Sequence, residues 1–321
     1  GKDNDGNQRT AVCCLSSLNL DTYDEWSEDP QFVEDVMRFL DNVMNDFIER
    51  APDEFAHAKY SAMRERSVGL GVMGLHSYFQ KKNIPFGSVM SKVWNKKVFK
   101  NIQEKVDAAS KSLAEERGAC PDAEEYGMKE RFSNKTAIAP TASISIICGG
   151  SSPGIEPIAA NSYTHKTLSG SFNVRNKYLK KILSKYKKDT DDVWSSITTN
   201  QGSVSHLDFL TAEEKDTFKT AFEIDQRWIV ELGADRTPHI SQAQSINIFI
   251  PADIHKKDLH NLHFQAWKKG LKSLYYCRSK SIQRAENVNK GTSTDVTKNV
   301  YSQGQESNNE SNNYEECLSC Q

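Results

Sequence analysis

The sequence predicts an α/β fold with parallel strand pairing. Three observations point to it: long stretches with apolar residues at helical spacing, short β-prone runs between them, and cap or turn residues at the junctions. The first helix is expected over 30–50, where Phe32, Val33, Val36, Met37, Leu40, Met44, Phe47 and Ile48 form one stripe. Asp29 followed by Pro30 supplies its N-cap and first helical position. A second long helix is expected over 88–117, through Trp94, Val98, Ile102, Val106 and Leu113, ending at Gly118. A short strand follows at 136–139. A third helix begins at Thr211, whose spacing to Glu214 makes a capping box, and runs to near Gly233. A strand at 245–250, a helix over roughly 255–269 and a strand at 272–277 complete the ordered part. No internal repeat is visible.

From about Gln283 the composition changes. Residues 283–316 are rich in Asn, Ser, Gln, Glu and Thr, and Val288, Val296, Val300 and Tyr301 are too sparse to build a core. A disordered tail over 283–321 is expected, ending on Cys317 and Cys320.

Bulk properties narrow the function. A chain of 321 residues can bury a sizeable core as one large or two ordinary domains. Its net charge of −2, with no long basic run, argues against an electrostatic grip on nucleic acid or membrane. No apolar stretch approaches the ~18 residues of a membrane span, and the opening residues do not form a signal peptide, so a cytoplasmic location is expected. The seven cysteines are odd in number and scattered, unlike a secreted disulfide framework. Reduced thiols are expected, with any disulfide catalytic. The polar opening runs straight into AVCCLSSLNL, which reads like a protein entered partway through.

The terminal CxxC offers only two zinc ligands with no His following, and its context is not the strand-to-helix turn of a thioredoxin motif. A mobile dithiol that carries electrons from an external reductant remains. A tether of about 40 residues spans roughly 35 Å, taking ~5–6 Å × √n. Tyr275 and Tyr276 are adjacent; they either pack on opposite strand faces or, if the strand bends, stack so that a radical passes between them. In TAIAPTASIS, Pro140 either starts a plain helix or places backbone N–H groups toward an anion. Gly69, Gly71 and Gly74 fit G-x-G-x-x-G, but the preceding HAKYSAMRER is polar and helix-like, so a dinucleotide site is excluded and close helix packing is expected. His260 and His263 share a helix face and are expected in solvent; no hydrolase triad has a local signature.

Together these segments resemble, in order, the large catalytic subunit of class I ribonucleotide reductases. AVCCLSSLNL resembles the segment with the second of two barrel cysteines. RSVGLGVMGLHSYF resembles the family's Gly-rich helix, and SLAEERGACP its A-x-E-x-G helix end. APTASIS with the later PGIEP resembles the phosphate loop. DRTPHISQAQSINIFI and WKKGLKSLYYCR resemble the last two strands. The match covers nearly all of 11–282 and resumes at the tail.

The resemblance implies the second half of a ten-stranded α/β barrel over 1–282, with a small α/β insertion around 165–240. It implies that Cys13 belongs to the pair that reduces the ribose 2′ position, with Cys14 the neighbour. Pro140, Thr141, Ala142, Ser143 and Ile144 would hold the diphosphate of a ribonucleoside diphosphate. Tyr275 and Tyr276 would relay a radical from a small subunit carrying a dimetal-tyrosyl or equivalent cofactor, with no cofactor in this chain. Cys317 and Cys320 would re-reduce the active-site disulfide with electrons from thioredoxin or glutaredoxin. The family's thiyl cysteine, its Asn and Glu neighbours, the partner of Cys13 and the specificity site lie upstream, so an N-terminal half of the large subunit is an expected partner, whether the chain is an excerpt or a split subunit. Two rivals remain: a non-catalytic assembly or regulatory fragment, and a cobalamin-dependent reductase, for which paired tyrosines have no use.

Overall fold

The computed structural model describes residues 1–167 and 170–279. The tail expected over 283–321, with Cys317 and Cys320, lies outside them. The chain opens with β1 (Leu15–Asn19), then α1 (Tyr23–Trp26), α2 (Pro30–Arg50) and α3 (Ala56–Glu65). Next come β2 (Gly69–Met73), α4 (Leu75–Lys81), α5 (Val89–Arg117), α6 (Pro121–Glu125) and α7 (Ala142–Ile147). A hairpin of β3 (Ser162–Thr167) and β4 (Gly170–Arg175) leads into α8 (Lys177–Lys185), α9 (Asp191–Thr199) and α10 (Ala212–Thr217). The chain returns through α11 (Gln226–Arg236), β5 (Ile248–Ile250), α12 (Lys256–Lys268) and β6 (Cys277–Ser279).

Five segments pair in chain order, all parallel. β1 pairs with β2 from Leu15–Gly69 to Asn19–Met73; Leu70 bridges Thr136; Ile138 bridges Gln244; and β5 pairs with β6 from Ile248–Cys277 to Ile250–Ser279. Each parallel step requires a crossover, and helices fill every one. Among the described residues the sheet does not close on itself. Its covered face packs Leu18, Leu70, Val72, Ile138, Ile246 and Phe249 against α2 (Val33, Met37, Leu40), α5 (Val98, Ile102, Val106) and α11 (Ile229, Leu232). Helix α2 is as expected: Asp29 accepts from Gln31 N–H, and the stripe at 33, 37, 40 and 44 is buried. Helix α5 is capped by Ser88 and stops at Gly118, which adopts φ 87°.

Between α2 and α5 lies a fully buried Asp41 carboxylate. Arg66, Arg131 and Arg117 reach it at 2.6, 2.9 and 2.9 Å. Burial pushes its pKa up, but hydrogen bonds and charge from Arg131 and Arg66 more than offset that and hold the carboxyl below its ordinary range.

Three local expectations are corrected. The G-x-G-x-x-G segment is strand β2, not a helix: a Cβ on Gly71 would lie 2.2 Å from the Ala137 carbonyl oxygen, so glycine permits close approach of strands rather than of helices. The helix expected from Thr211 to Gly233 is two helices. The Thr211–Glu214 capping box forms, but the helix ends at Thr217; beyond it Glu223 accepts from the Thr220 N–H, and Asp225, accepting from the Arg227 N–H, caps a new start at Gln226. The last strand begins at Cys277 rather than 272, although ladder bonds start at Tyr275, whose N–H donates to the Ile246 carbonyl at 2.8 Å.

Around the expected insertion a separate core forms from Tyr178, Leu179, Leu183, Trp194, Ile197 and Phe218, whereas α11 packs on α5 in the main core. No helix among the described residues is long and apolar enough to cross a membrane.

Candidate functional site

Strand alternation separates the two adjacent cysteines. Cys14 is buried toward α2, its Sγ 3.8 Å from the Leu40 carbonyl, and burial pushes its thiol pKa up. Cys13 is exposed, on the same side as Leu15, which is 45% exposed. Gly69 lies beside Leu15, where a Cβ would meet the leucine Cδ2 at 2.4 Å. Of the two thiols, Cys13 is the one accessible for exchange.

The Pro140–Ile144 segment joins the third strand of the series to α7. Pro140 does not open the helix; Thr141 caps it in the left-handed region at φ 49°. This conformation costs a β-branched residue strain, and a hydrogen bond helps hold it: Thr141 Oγ1 accepts from the Gly154 N–H at 2.7 Å. The amides of Ala142, Ser143 and Ile144 form the first turn of α7, where helix geometry supplies no intrahelical acceptor. Ser143 and Ile144 are exposed, while Ser145 turns inward and bonds the Ala142 carbonyl at 3.1 Å.

The end of β1 ties to the chain just after α7. Asn19 Nδ2 donates to the Cys148 carbonyl at 3.2 Å, and Ser151 Oγ donates to the buried Asp21 carboxylate at 2.8 Å, which also receives Lys177 and Tyr178. The strand that follows Cys13 and the loop after α7 are therefore held together. Further on, the Ile158 N–H donates to Nδ1 of His76 at 3.0 Å, and burial pushes that imidazole down to about 3, keeping it neutral.

The rings of Tyr275 and Tyr276 meet at a tilt rather than lying on opposite faces. Their ring centroids are 4.2 Å apart at an interplanar angle of 54°, and they are 41% and 51% exposed. Behind them is a residue the sequence reading did not single out. Glu156, in the PGIEP string, is buried; its Oε1 accepts from Asn247 Nδ2 at 2.5 Å, and Asn247 Oδ1 accepts the Tyr276 N–H at 3.0 Å. Burial pushes its pKa up to about 7, against the opposing effects of the Asn247 hydrogen bond and the Arg278 charge. The Arg278 guanidinium lies 5.8 Å from the Tyr276 ring centroid. An isolated acidic residue between Ile155 and Pro157 was the available signal.

The segment from Thr141 through α7 and Gly154 to Glu156 thus reaches the Tyr276 backbone through Asn247. His260 and His263 are exposed on α12, as expected. Among the described residues no group of three or more His, Cys, Asp or Glu is placed to hold a metal. Cys317 and Cys320 lie outside the described residues.

The family model described as ribonucleotide reductase, barrel domain, matches residues 3–130 and 122–277. The chain is 49% identical over 284 residues to the ribonucleoside-diphosphate reductase large subunit of Invertebrate iridescent virus 6, covering 87% of this chain and 29% of that protein. It is 45% identical over 289 residues to the same-named protein of Invertebrate iridescent virus 3, covering 89% and 46%. Its fold is similar to the class Id ribonucleotide reductase alpha subunit of Actinobacillus ureae, with a TM-score of 0.78 and 41% identity over 84% of this chain and 50% of that one. The chain therefore spans half or less of the length of these relatives.

Proposed function

The chain belongs to the ribonucleotide reductase barrel-domain family, and from that premise we propose that it supplies the C-terminal half of a large subunit that reduces ribonucleoside diphosphates by protein-radical chemistry. The observation that carries this reading is the Tyr275–Tyr276 pair. Two phenol rings at 4.2 Å, half exposed at the end of a parallel sheet, suit transfer of an oxidising equivalent between them. Oxidising a phenol near neutral pH releases a proton with the electron. Glu156, its carboxyl pushed up to about 7 by burial and joined to the Tyr276 backbone N–H through Asn247, is a buried titratable group tied to this pair.

In this reading the radical comes from a small subunit that carries the metal cofactor and is relayed through the Tyr275–Tyr276 pair. The Pro140–Ile144 segment receives the substrate diphosphate, on the backbone amides of Ala142, Ser143 and Ile144 in the first turn of α7. Cys13 supplies one thiol of the reducing pair, and its partner and the thiyl cysteine come from the N-terminal half of the large subunit. Cys317 and Cys320 return electrons from thioredoxin or glutaredoxin by thiol–disulfide exchange. The free thiols of Cys13, Cys148 and Cys277 suit a reducing cytoplasm.

Complementation tests the reading. Cytidine diphosphate reduction is expected only when this chain is combined with a chain carrying the other barrel half and with a radical-bearing small subunit. Reduction by this chain alone would refute it, and dependence on adenosylcobalamin instead of a small subunit would replace the relay with a local radical source.

A further inference from the structure

Besides Cys13, assigned to ribose reduction, and its buried neighbour Cys14, the described residues include three other cysteines that differ in surroundings: Cys120 is buried, Cys148 is exposed at the end of α7, and Cys277 is exposed at the start of β6. Of the described cysteines, Cys277 is the one paired with an imidazole. Its Sγ lies 4.0 Å from His263 Nε2, the outer range of a sulfur hydrogen bond. The other ring nitrogen settles which partner donates. Nδ1 of His263 is 2.8 Å from the Leu259 carbonyl, one helical turn earlier, and a carbonyl only accepts. In the neutral ring Nδ1 therefore carries the proton, and Nε2 presents its lone pair to the thiol.

The pair is held by rigid elements. Helix α12 is anchored by Leu262 and Ala266, which pack on Val230, Ile248 and Ile250, and Cys277 is fixed by its register with Ile248 on β5. Along β6, Tyr276 and Arg278 share one face, as the guanidinium over the tyrosine ring shows, so Cys277 points to the other face, where α12 crosses. All three residues of β6 are exposed, so a small reagent reaches the sulfur without any movement of the chain.

We propose that Cys277 and His263 form a base-assisted reactive thiol, a modification site for hydroperoxides and other small electrophiles. With a hydroperoxide, the sulfur attacks the distal oxygen; the S–O bond forms as the O–O bond breaks. The thiol proton passes to His263 Nε2 and from there to the departing alkoxide. Sulfur is oxidised by two electrons to a sulfenic acid, and the peroxide is reduced to an alcohol. Two thiols reverse the change: the first forms a mixed disulfide and releases water, and the second regenerates Cys277 with loss of a disulfide. The thiol chemistry stands on the Cys277–His263 geometry alone. Its bearing on catalysis rests on the relay reading, because an adduct at Cys277 sits one residue from Tyr276.

The test uses the whole chain under limiting iodoacetamide, with labelling of each cysteine followed by peptide mass spectrometry. His263→Ala removes the imidazole, and His263→Gln leaves an amide near the Nε2 position that is a poor base. Both are exposed-helix substitutions, and the labelling rates of Cys13 and Cys148 in the same sample report whether the fold is unchanged. Loss of a general base is expected to slow Cys277 by at least about ten-fold in both variants, with Cys13 and Cys148 unaffected. A smaller change in either variant overturns the proposal. Trapping of the sulfenic acid with dimedone after hydroperoxide treatment is expected to show the same dependence on His263, and equal trapping in wild type and both variants also overturns it. Neither readout depends on radical transfer, so failure of the relay reading leaves both results intact.

Discussion

Replacing Glu156 by Gln is expected to remove a pH-dependent instability from the folded chain. The carboxyl titrates near 4.5 when unfolded and near 7 in its buried site. Between these values the folded state holds a proton that the unfolded state has released. The stabilisation is therefore complete below about pH 4.5 and is lost as pH rises through 7. A gap of about 2.5 pH units, at about 1.4 kcal/mol each, costs wild type about 3.5 kcal/mol above neutrality. Glutamine is uncharged throughout and keeps an oxygen for Asn247 Nδ2, so the variant should lose this slope while retaining the bond. Urea unfolding at pH 5, 6, 7 and 8 measures it: the two proteins should diverge with rising pH, the variant ending about 2.5 kcal/mol better relative to its pH 5 offset. Parallel stability profiles would refute the reasoning, since they require Glu156 to be ionised in the folded state already.

Further outcomes follow from the same structure. Asp41→Asn leaves the Arg66 and Arg131 guanidinium groups buried without a counter-charge, and thermal unfolding should show a loss of about 3–5 kcal/mol. In wild type the lowered Asp41 pKa adds stability that is present above about pH 4 and fades in acid, so acid unfolding should be less steep in the variant. Gly71→Ala drives a Cβ against the Ala137 carbonyl, and calorimetry should report a cost of about 3 kcal/mol or insoluble protein. Tyr276→Phe keeps ring volume and the backbone bond to Asn247, so unfolding should be unchanged while reductase turnover in the complete enzyme disappears; retained turnover would make the pair a packing contact.

Local chemistry was legible where one segment contains all of its own causes. Helix α2 announces itself through Asp29, Pro30 and a stripe at 33, 37, 40 and 44, because helical hydrogen bonds and face periodicity are settled within four residues. The same holds for the Thr211 cap. The helix reading of Gly69–Met73 failed for the opposite reason. Its strand partners are Leu15–Asn19 and Thr136, more than 50 residues away on either side, and all five of its residues are buried, so no polar alternation marks it.

The candidate site divides along the same line. The sequence alone determined which residue types are present and in what order: a CC pair before a β-prone run, a Pro-Thr-Ala-Ser turn, adjacent tyrosines and a terminal dithiol. Only the tertiary structure decided that Cys13 faces solvent while Cys14 is buried, that the rings of Tyr275 and Tyr276 meet at 4.2 Å, and that Glu156 is desolvated beside them. Exposure, ring contact and a shifted proton affinity are set by neighbours brought in from distant parts of the chain, in this case Leu40 from α2 and Asn247 from the strand next to β6. The free energy of those contacts belongs to the packed assembly rather than to any one segment.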